Sequence, residues 1–360
     1  MAESRPNRQF SHVILGLDGT LVNTDYVVHQ VLKSFLVKEG KTWDSKKSQC
    51  LLGKGPYEAA VAVLEDCELP YSAEEFLNLI TPMLTEKWGN IKALAGANRL
   101  VEHLRSKGIC VALASNSPRA NIRAKLSCHP GWEESFAAIV GGDEVTKGKP
   151  SPNMPGVLAG KAAGMHVIAV PSIPKSTAES GAADEVINSL LDLRLEKWGL
   201  PPFVDWIEDT LPIEPWFIRG PVIKGYGSGS GLLGIPTANL PVDKFSDILS
   251  EHTSGVYFGW AGLSEGGIYK MVMSVGWNPY FHNSEKTIEP WILHDFSEDF
   301  YGEELSLAIT GYIRPEANFR SVESLIERIR EDGRIAEKAL DLPIYACYKD
   351  STYLRRGQSN

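Results

Sequence analysis

A chain of 360 residues is longer than one hydrophobic core usually supports, so two domains are expected. Its 43% hydrophobic and 22% charged residues are typical of a globular protein and exclude a coiled-coil, collagen-like or disordered chain. The net charge of −9 disfavours nonspecific binding to nucleic acid or to an anionic membrane, because both would repel the chain. We therefore expect small-molecule partners and neither nucleic acid nor membrane.

The five cysteines form an odd set without closely spaced pairs, which predicts neither a disulfide framework nor a zinc site of familiar spacing. The printed sequence starts without the apolar stretch of a signal peptide, and it holds no run of about 18 apolar residues that could span a bilayer. We therefore expect a cytoplasmic protein in a reducing compartment.

Short apolar runs alternate with helical segments in the first half of the chain. They lie at residues 13–15, 109–114, 138–140 and 166–170, with helical patterning from about residue 20 to about residue 90. This alternation predicts an α/β domain with a parallel sheet, whose site would lie at the carboxyl ends of the strands. A further helical face is predicted from the spacing of Ile187, Leu190, Leu191 and Leu195.

The composition of the sequence changes at a proline-rich stretch. Five prolines occur between Gly199 and Pro221, and proline fits poorly inside helices and strands because it lacks a backbone N–H. We therefore predict a first domain over residues 1–198, a connector over 199–214 and a second domain over 215–355.

Aromatic and β-branched runs dominate the second domain. The runs at residues 255–260, 270–275 and 305–310 follow one another without intervening helices, which is typical of an antiparallel barrel or sandwich. A last helix is predicted to start at the N-cap Ser321 and to bury Val322, Leu325, Ile326 and Ile329.

Four motifs of the first domain occur in a diagnostic order: Gly16-Leu-Asp18-Gly-Thr, Ser115-Asn116, Lys149-Pro150 and Gly160-Lys-Ala-Ala-Gly164. Over about residues 10–190 they resemble the haloacid dehalogenase-like phosphatase superfamily, which implies a Rossmann-like parallel sheet. In that family an aspartate at the position of Gly16 attacks phosphorus. Glycine has no oxygen for this attack and no carboxylate for Mg²⁺.

A second defect follows the Lys149-Pro150 motif. Only six residues separate Pro152 from Ala159, where the family has a helix, a strand and a pair of acidic metal ligands. Six residues are too few for these elements, because even fully extended they span only about 20 Å. We therefore expect a truncated, inactive phosphatase-like domain in which Asp18, Ser115, Asn116 and Lys149 are remnants.

Alternating glycines over residues 225–231 precede the tetrad Pro236-Thr237-Ala238-Asn239. Such a run alone is often a flexible linker, but a backbone without Cβ atoms can also approach phosphates closely. Two residues apart on an extended segment, the Thr237 hydroxyl and the Asn239 amide oxygen can reach one Mg²⁺. Neither group is charged, so the ligand must supply the negative charge, as a nucleotide polyphosphate would.

The tetrad is followed by Thr287-Ile-Glu289-Pro, Asp299-Phe-Tyr-Gly302 and Arg314-Pro-Glu-Ala-Asn318-Phe. Together they resemble riboflavin kinase over about residues 215–350, and the whole chain resembles the plant-type fusion of FMN hydrolase with riboflavin kinase. The resemblance implies a six-stranded antiparallel β-barrel that transfers the γ-phosphate of ATP to the 5′-hydroxyl of riboflavin. The products would be FMN and ADP.

The same resemblance implies roles for individual residues. Thr237 and Asn239 would hold Mg²⁺, with Zn²⁺ as the alternative metal, and Glu289 would accept the ribityl hydroxyl proton. The other implied contacts are Gly225 and Gly231 with the phosphates, Ile292, His294 and Tyr301 with the nucleotide, and Arg314 and Ser324 with the flavin. Taken alone, Glu289 reads as a solvated strand residue, His294 as a core histidine and Arg314 as half of an ion pair.

Two departures from the family pattern concern charge. Ser228 and Gly231 stand where the family usually carries Arg and Lys, which predicts weaker ATP binding, with Lys224 as a partial replacement. Two other functions are also compatible with the sequence. One is a bifunctional enzyme that also hydrolyses FMN, and the other is a flavin-binding module without catalysis.

Overall fold

The computed structural model describes residues 10–44, 47–48, 51, 54–145, 155–171, 181–224, 234–264, 266–277 and 286–355. The chain divides into two compact units, Met1–Pro202 and Phe203–Asn360. Within the described ranges, no helix combines the length and the apolar character needed to cross a membrane.

The first unit contains the predicted parallel sheet. Strands β1 (His12–Gly16), β2 (Cys110–Ala114) and β3 (Ala138–Val140) pair in parallel and in that order, which confirms the α/β prediction. The helices of this unit are α1 (Thr24–Lys38), α2 (Pro56–Cys67), α3 (Ala73–Trp88), α4 (Ala97–Ser106), α5 (Arg119–Leu126) and α6 (Pro155–Ala162).

Local sequence signals account for the helical part of this unit. At the start of α3, the Ser72 hydroxyl accepts a hydrogen bond from the Glu75 backbone N–H, and the Glu75 carboxylate accepts one from the Ser72 N–H. This capping box satisfies donors that the first helical turn leaves free. Behind it, Phe76 packs against Phe35 with ring centroids 5.4 Å apart, in a cluster of buried residues from α1, α2 and α3.

The parallel sheet is in two pieces. Strands β4 (Ile168–Ala169) and β5 (Glu185–Val186) form a separate two-stranded parallel sheet, and no ladder among the described residues joins it to β1. Ile14 of β1 and Val140 of β3, which are the outer strands of the described three-stranded sheet, are 51% and 41% exposed.

The helix predicted around Ile187–Leu195 is wrong. The chain forms two short 3₁₀ turns, Leu190–Asp192 and Leu195–Trp198, separated by the extended residues Leu193 and Arg194. The Ser189 hydroxyl accepts the N–H of Leu191 and starts the first turn. The leucines are buried as expected, but irregular chain buries them as well as a helix would, so apolar spacing alone could not distinguish the two.

The second unit is built on an antiparallel sheet, as predicted. Its strands are β6 (Leu211–Pro221), β7 (Gly255–Leu263), β8 (Ile268–Trp277), β9 (Lys286–Ile292) and β10 (Glu304–Arg314), in the order β6-β10-β7-β8-β9. The described residues therefore contain five strands, one fewer than expected, and no ladder among them closes the sheet from β6 to β9.

Strand β6 corrects the boundary of the proline-rich connector. It starts at Leu211, inside the predicted connector, and contains Pro212, Pro215 and Pro221. In the described sheet β6 is an edge strand that pairs only with β10, and the pairing shifts register between Ile309 and Gly311. Proline is tolerated on an edge strand because one side of that strand has no ladder to complete.

Helix α8 (Val322–Ala339) begins where predicted. The Ser321 hydroxyl accepts the N–H of Ser324, and Ala336 and Ala339 pack into the core with Phe258. Val322, expected to be buried, is 56% exposed, and Leu325, Ile326 and Ile329, also expected to be buried, are half-buried. Three shorter helices complete the unit: α7 (Ser246–Glu251), α9 (Pro343–Ala346) and α10 (Thr352–Arg355).

Candidate active site

The extended segment around Ala238 lies beside strand β9. The Ala238 N–H donates to the Pro290 carbonyl at 2.8 Å, and the Asn239 carbonyl accepts from the Ile223 N–H at 2.8 Å. Pro290 directly follows Glu289 in β9. The structure therefore places the predicted metal donors on a segment that is bonded to the strand carrying the predicted base.

Asn239 has an unsatisfied oxygen. Its side-chain Oδ1 is buried and has no hydrogen-bond partner among the residues that the structure describes, while Thr237 is half-buried. A buried acceptor left without a partner costs about 1–3 kcal/mol, so this atom is suited to an external ligand. The described residues contain no cluster of three His, Cys, Asp or Glu able to hold a metal. Neutral oxygens fit Mg²⁺ when phosphate oxygens supply the charge.

Glu289 projects from β9 opposite Ser274 of β8, and its side chain reaches solvent. The protein around its carboxylate nevertheless removes part of its hydration, which raises the pKa of Glu289, while a hydrogen bond with Thr287 partly offsets the effect. A carboxylate with a raised pKa binds a proton more readily. Chemically, this residue can act as a general base.

Arg314 and Ser324 both have internal partners. The Arg314 guanidinium donates two bonds of 3.0 Å from Nε and one of 2.6 Å from Nη2 to the carboxylate of Asp332, which is 1% exposed and also pairs with Arg328. The Ser324 hydroxyl donates to the Ser321 carbonyl and belongs to the helix cap. A flavin contact by either residue stays a prediction.

The predicted nucleotide contacts lie near an aromatic group that was not expected. The His294 ring lies 4.6 Å from Tyr269 and 4.7 Å from Phe296, and Phe296 lies 4.7 Å from Phe300. His294 is exposed, as is Tyr301. Tyr269 and Phe296 could have been suggested by their aromatic character, but no motif in the sequence marked them.

Three predicted contacts, Gly225, Gly231 and Ile292, lack either a described geometry or a free side-chain surface. Gly225 and Gly231 lie outside the described residues, as does Ser228. Ile292 is buried and its carbonyl accepts the N–H of His294, so we expect any nucleotide contact at this position to involve the backbone.

Asp18 is the centre of a second polar site, in the first unit. Its Oδ1 accepts from the Lys125 ammonium at 2.5 Å and from the Thr24 hydroxyl at 2.8 Å. Its Oδ2 accepts from the Ser115 hydroxyl at 2.7 Å and from the Ser117 hydroxyl at 3.0 Å. Four donors from four positions along the chain therefore converge on one carboxylate.

The electrostatics of this site favour a permanent charge on Asp18. Burial alone would raise its pKa, but the ammonium of Lys125 and the hydroxyls of Ser115 and Thr24 together lower it below the ordinary value. Lys125 is 2% exposed and lies over the Trp88 ring at 4.2 Å. The sequence motifs pointed to Asp18 and Ser115 but not to Lys125, because a lone helical lysine carries no recognisable signal.

Gly16, Asn116 and Lys149 are the other predicted positions in this part of the chain. A Cβ atom at Gly16 would lie 3.2 Å from the Thr20 hydroxyl, so a side chain there would be tight, and the position offers no oxygen. Asn116 does not bond Asp18, and Lys149 lies outside the described residues.

Each of the two units matches a known protein family. The riboflavin kinase family model matches residues 212–340, and the haloacid dehalogenase-like hydrolase model matches residues 10–155. The bifunctional riboflavin kinase/FMN phosphatase of Arabidopsis thaliana is 60% identical, over 96% of this chain and 97% of its own length. The chain belongs to this bifunctional riboflavin kinase/FMN phosphatase family.

Relatives with the kinase half alone align with the second unit of this family member. The riboflavin kinase of Mus musculus is 49% identical over 39% of this chain and 91% of its own length. The solved riboflavin kinase structure from Trypanosoma brucei is 27% identical, covers 39% of this chain and 86% of its own, and has a TM-score of 0.33.

Proposed function

We propose that this protein is a Mg²⁺-dependent riboflavin kinase that converts riboflavin and ATP into FMN and ADP. The observation that carries the proposal is the buried Oδ1 of Asn239, which has no hydrogen-bond partner among the described residues, on a segment bonded to β9 next to Glu289. Membership of the bifunctional family supports the same reaction.

Glu289 is the general base of the proposed reaction. As the riboflavin 5′-oxygen forms its bond to the γ-phosphorus, the bond from that phosphorus to the ADP oxygen breaks, and the hydroxyl proton passes to the Glu289 carboxylate. Its raised pKa makes it a stronger base than an ordinary glutamate. Thr237 and Asn239 would hold Mg²⁺, which, when bound, neutralises charge on the phosphates.

The nucleotide and flavin contacts are assigned to the surrounding groups. The rings of Tyr269, His294 and Phe296 offer aromatic surface for stacking a purine base. Gly225 and Gly231 would wrap the phosphates. Arg314, held by Asp332, would contact the flavin with Ser324 nearby.

The first unit is proposed to have lost FMN hydrolysis. Gly16 cannot attack phosphorus, and Asp18, with its lowered pKa and its ion pair to Lys125, is a poor proton donor for a leaving group. These two features support a monofunctional kinase within a bifunctional family.

One pair of assays tests the proposal. Purified protein receives riboflavin, ATP and Mg²⁺ in one reaction and FMN with Mg²⁺ in the other, and flavins are separated chromatographically. We expect FMN to form in the first reaction and to persist in the second. The Asn239→Ala variant should lose FMN formation, while Asn90→Ala, which changes an exposed amide in the other unit, should retain it.

Three results would contradict the proposal in different ways. Absence of FMN formation contradicts the kinase. Loss of FMN in the second reaction supports the bifunctional enzyme instead. Riboflavin binding without turnover supports the flavin-binding module.

A further inference from the structure

Lys286, the half-buried first residue of β9, places its ammonium at the end of a helix. Its Nζ donates hydrogen bonds to the carbonyl of Leu249 at 2.9 Å and to that of His252 at 2.5 Å. These carbonyls terminate helix α7, where the aligned peptide dipoles favour a positive charge. An ammonium that loses part of its hydration needs compensating partners, and these two carbonyls supply them. Lys286 therefore joins β9 to the end of α7.

The segment that leads into α7 is the one that carries the proposed metal donors. Hydrogen bonds join it to β9 near both of its ends: the Ala238 N–H donates to the Pro290 carbonyl, and the last turn accepts from Lys286. Glu289 lies between Lys286 and Pro290 on β9. These three hydrogen bonds contribute to where the metal donors lie relative to the base.

Glu316 packs against the same pair of strands. A Cβ atom at Gly276 would lie only 2.3 Å from the Glu316 Oε1, so the carboxylate rests directly on the Gly276 backbone. Gly276 pairs with Thr287, the residue after Lys286. Burial lowers the pKa of Lys286 to about 8, and the Glu316 carboxylate opposes that shift by attracting the ammonium.

We propose that Lys286 is a positioning residue for phosphoryl transfer, which holds the Thr237–Asn239 segment in register with Glu289 by bonding the end of α7 to β9. The inference rests on the proposed kinase function. Without the ammonium, the Leu249 and His252 carbonyls at the end of α7 lose these hydrogen bonds to β9, while the bond from Ala238 to Pro290 remains. Misplacement of a metal donor should weaken the binding of Mg²⁺ and of its nucleotide complex more than that of riboflavin.

Lys286→Met tests the role directly, since methionine keeps an unbranched side chain but cannot donate. We expect the Mg²⁺ concentration for half-maximal activity and the KM for MgATP to rise about tenfold, with the KM for riboflavin within about twofold of wild type. Lys270→Met is the matched control. Lys270 of β8 also donates to a helical carbonyl, that of Glu337 at 2.6 Å, and pairs with Asp341. The Lys270→Met variant should leave the Mg²⁺ requirement unchanged.

The pH dependence of the Mg²⁺ requirement provides a second readout. The charged groups around Lys286 are Glu316 and, at the end of α7, Glu251 and His252. Because its pKa is about 8, the wild-type requirement should rise as the pH passes that value and the ammonium loses its charge. Lys286→Arg stays charged and should give a flat profile up to about pH 9.5, whereas Lys270→Met should retain the wild-type rise.

The outcomes separate this inference from the proposed function. If the wild-type protein forms no FMN, the proposed function fails and the positioning role fails with it. If it forms FMN and Lys286→Met matches Lys270→Met in its Mg²⁺ requirement, only the positioning role is wrong. If Lys286→Met does not fold, as judged by circular dichroism, the inference is tested by comparing the alkaline rise in the Mg²⁺ requirement between wild type and Lys286→Arg. An identical alkaline rise in both contradicts the inference.

Discussion

The two polar sites of this chain differ in how far their groups are satisfied. In the first unit, the Asp18 carboxylate accepts from two serines, a threonine and Lys125. In the second unit, Asn239 keeps a buried oxygen without a partner in the described part of the chain, and Glu289 has a raised pKa. A network that satisfies itself stabilises a fold, whereas one that leaves groups unsatisfied is suited to a ligand.

This contrast is the basis for proposing a structural role for Asp18 in the first unit. Asp18 lies just after β1, Ser115 and Ser117 follow β2, and Lys125 belongs to α5, so the ion pair ties two strand ends to a helix. If the first unit no longer hydrolyses FMN, as proposed above, these contacts still give Asp18 a structural role.

The largest expected effect concerns Glu289, the proposed base in the second unit. Glu289→Gln keeps the size of the side chain but cannot accept the hydroxyl proton, so kcat for FMN formation should fall by about 10²–10⁴. Chromatographic rates at saturating riboflavin and MgATP measure it, with Glu298→Gln, another exposed glutamate of this unit, as the control. A kcat within a few-fold of wild type would remove Glu289 from the mechanism.

The next effect tests whether the first site is structural. Asp18→Ala leaves the buried Lys125 ammonium without its carboxylate, so the free energy of unfolding of this unit should fall by about 3–5 kcal/mol. FMN formation should persist at temperatures where the variant is folded. Denaturant unfolding measures the loss, and Asp66→Ala, which breaks the exposed ion pair to Lys47, should change stability little. Equal stability of both variants would contradict a structural role for Asp18.

Restoring charge to the glycine-rich segment should have a smaller effect. Ser228→Arg together with Gly231→Lys supplies the cations usual in the family, and each direct contact to a phosphate is worth about 1.5–3 kcal/mol. The KM for MgATP should therefore fall, while the KM for riboflavin should stay unchanged. Steady-state kinetics measure both constants. An unchanged KM for MgATP would show that these positions do not limit ATP affinity.

The smallest expected effect concerns pH. Glu289 must be ionised to accept a proton, so kcat should fall as the pH drops through its pKa, which lies above the ordinary value of 4.5. The hydrogen bond from Thr287 favours the ionised form, so Thr287→Val should move this acidic limb to higher pH by a fraction of a unit. Thr287→Ser retains the hydroxyl and should behave as wild type. If the acidic limb of the kcat profile lies at the same pH in Thr287→Val as in wild type, Thr287 does not affect the pKa of the base.

Sequence patterns were most successful where the determining interactions are local. The cap of α8 at Ser321 was predicted because a serine hydroxyl bonds an N–H only three residues away. The helix predicted near Leu190 was wrong because apolar spacing reports burial and not the conformation that achieves it. The strand through Pro212 and Pro215 was missed because only the sheet order reveals that β6 lies at an edge.

The amino-acid sequence by itself determined the two units, their parallel and antiparallel sheets, and the motifs that mark Asp18, Asn239 and Glu289. These depend on periodicity and on short motifs, which neighbouring residues encode directly. Only the tertiary structure decided which polar atoms are satisfied. Lys125 reaches Asp18 across 107 positions of the chain, and Lys286 reaches α7 across 34, distances over which no local pattern carries information about a hydrogen-bond partner.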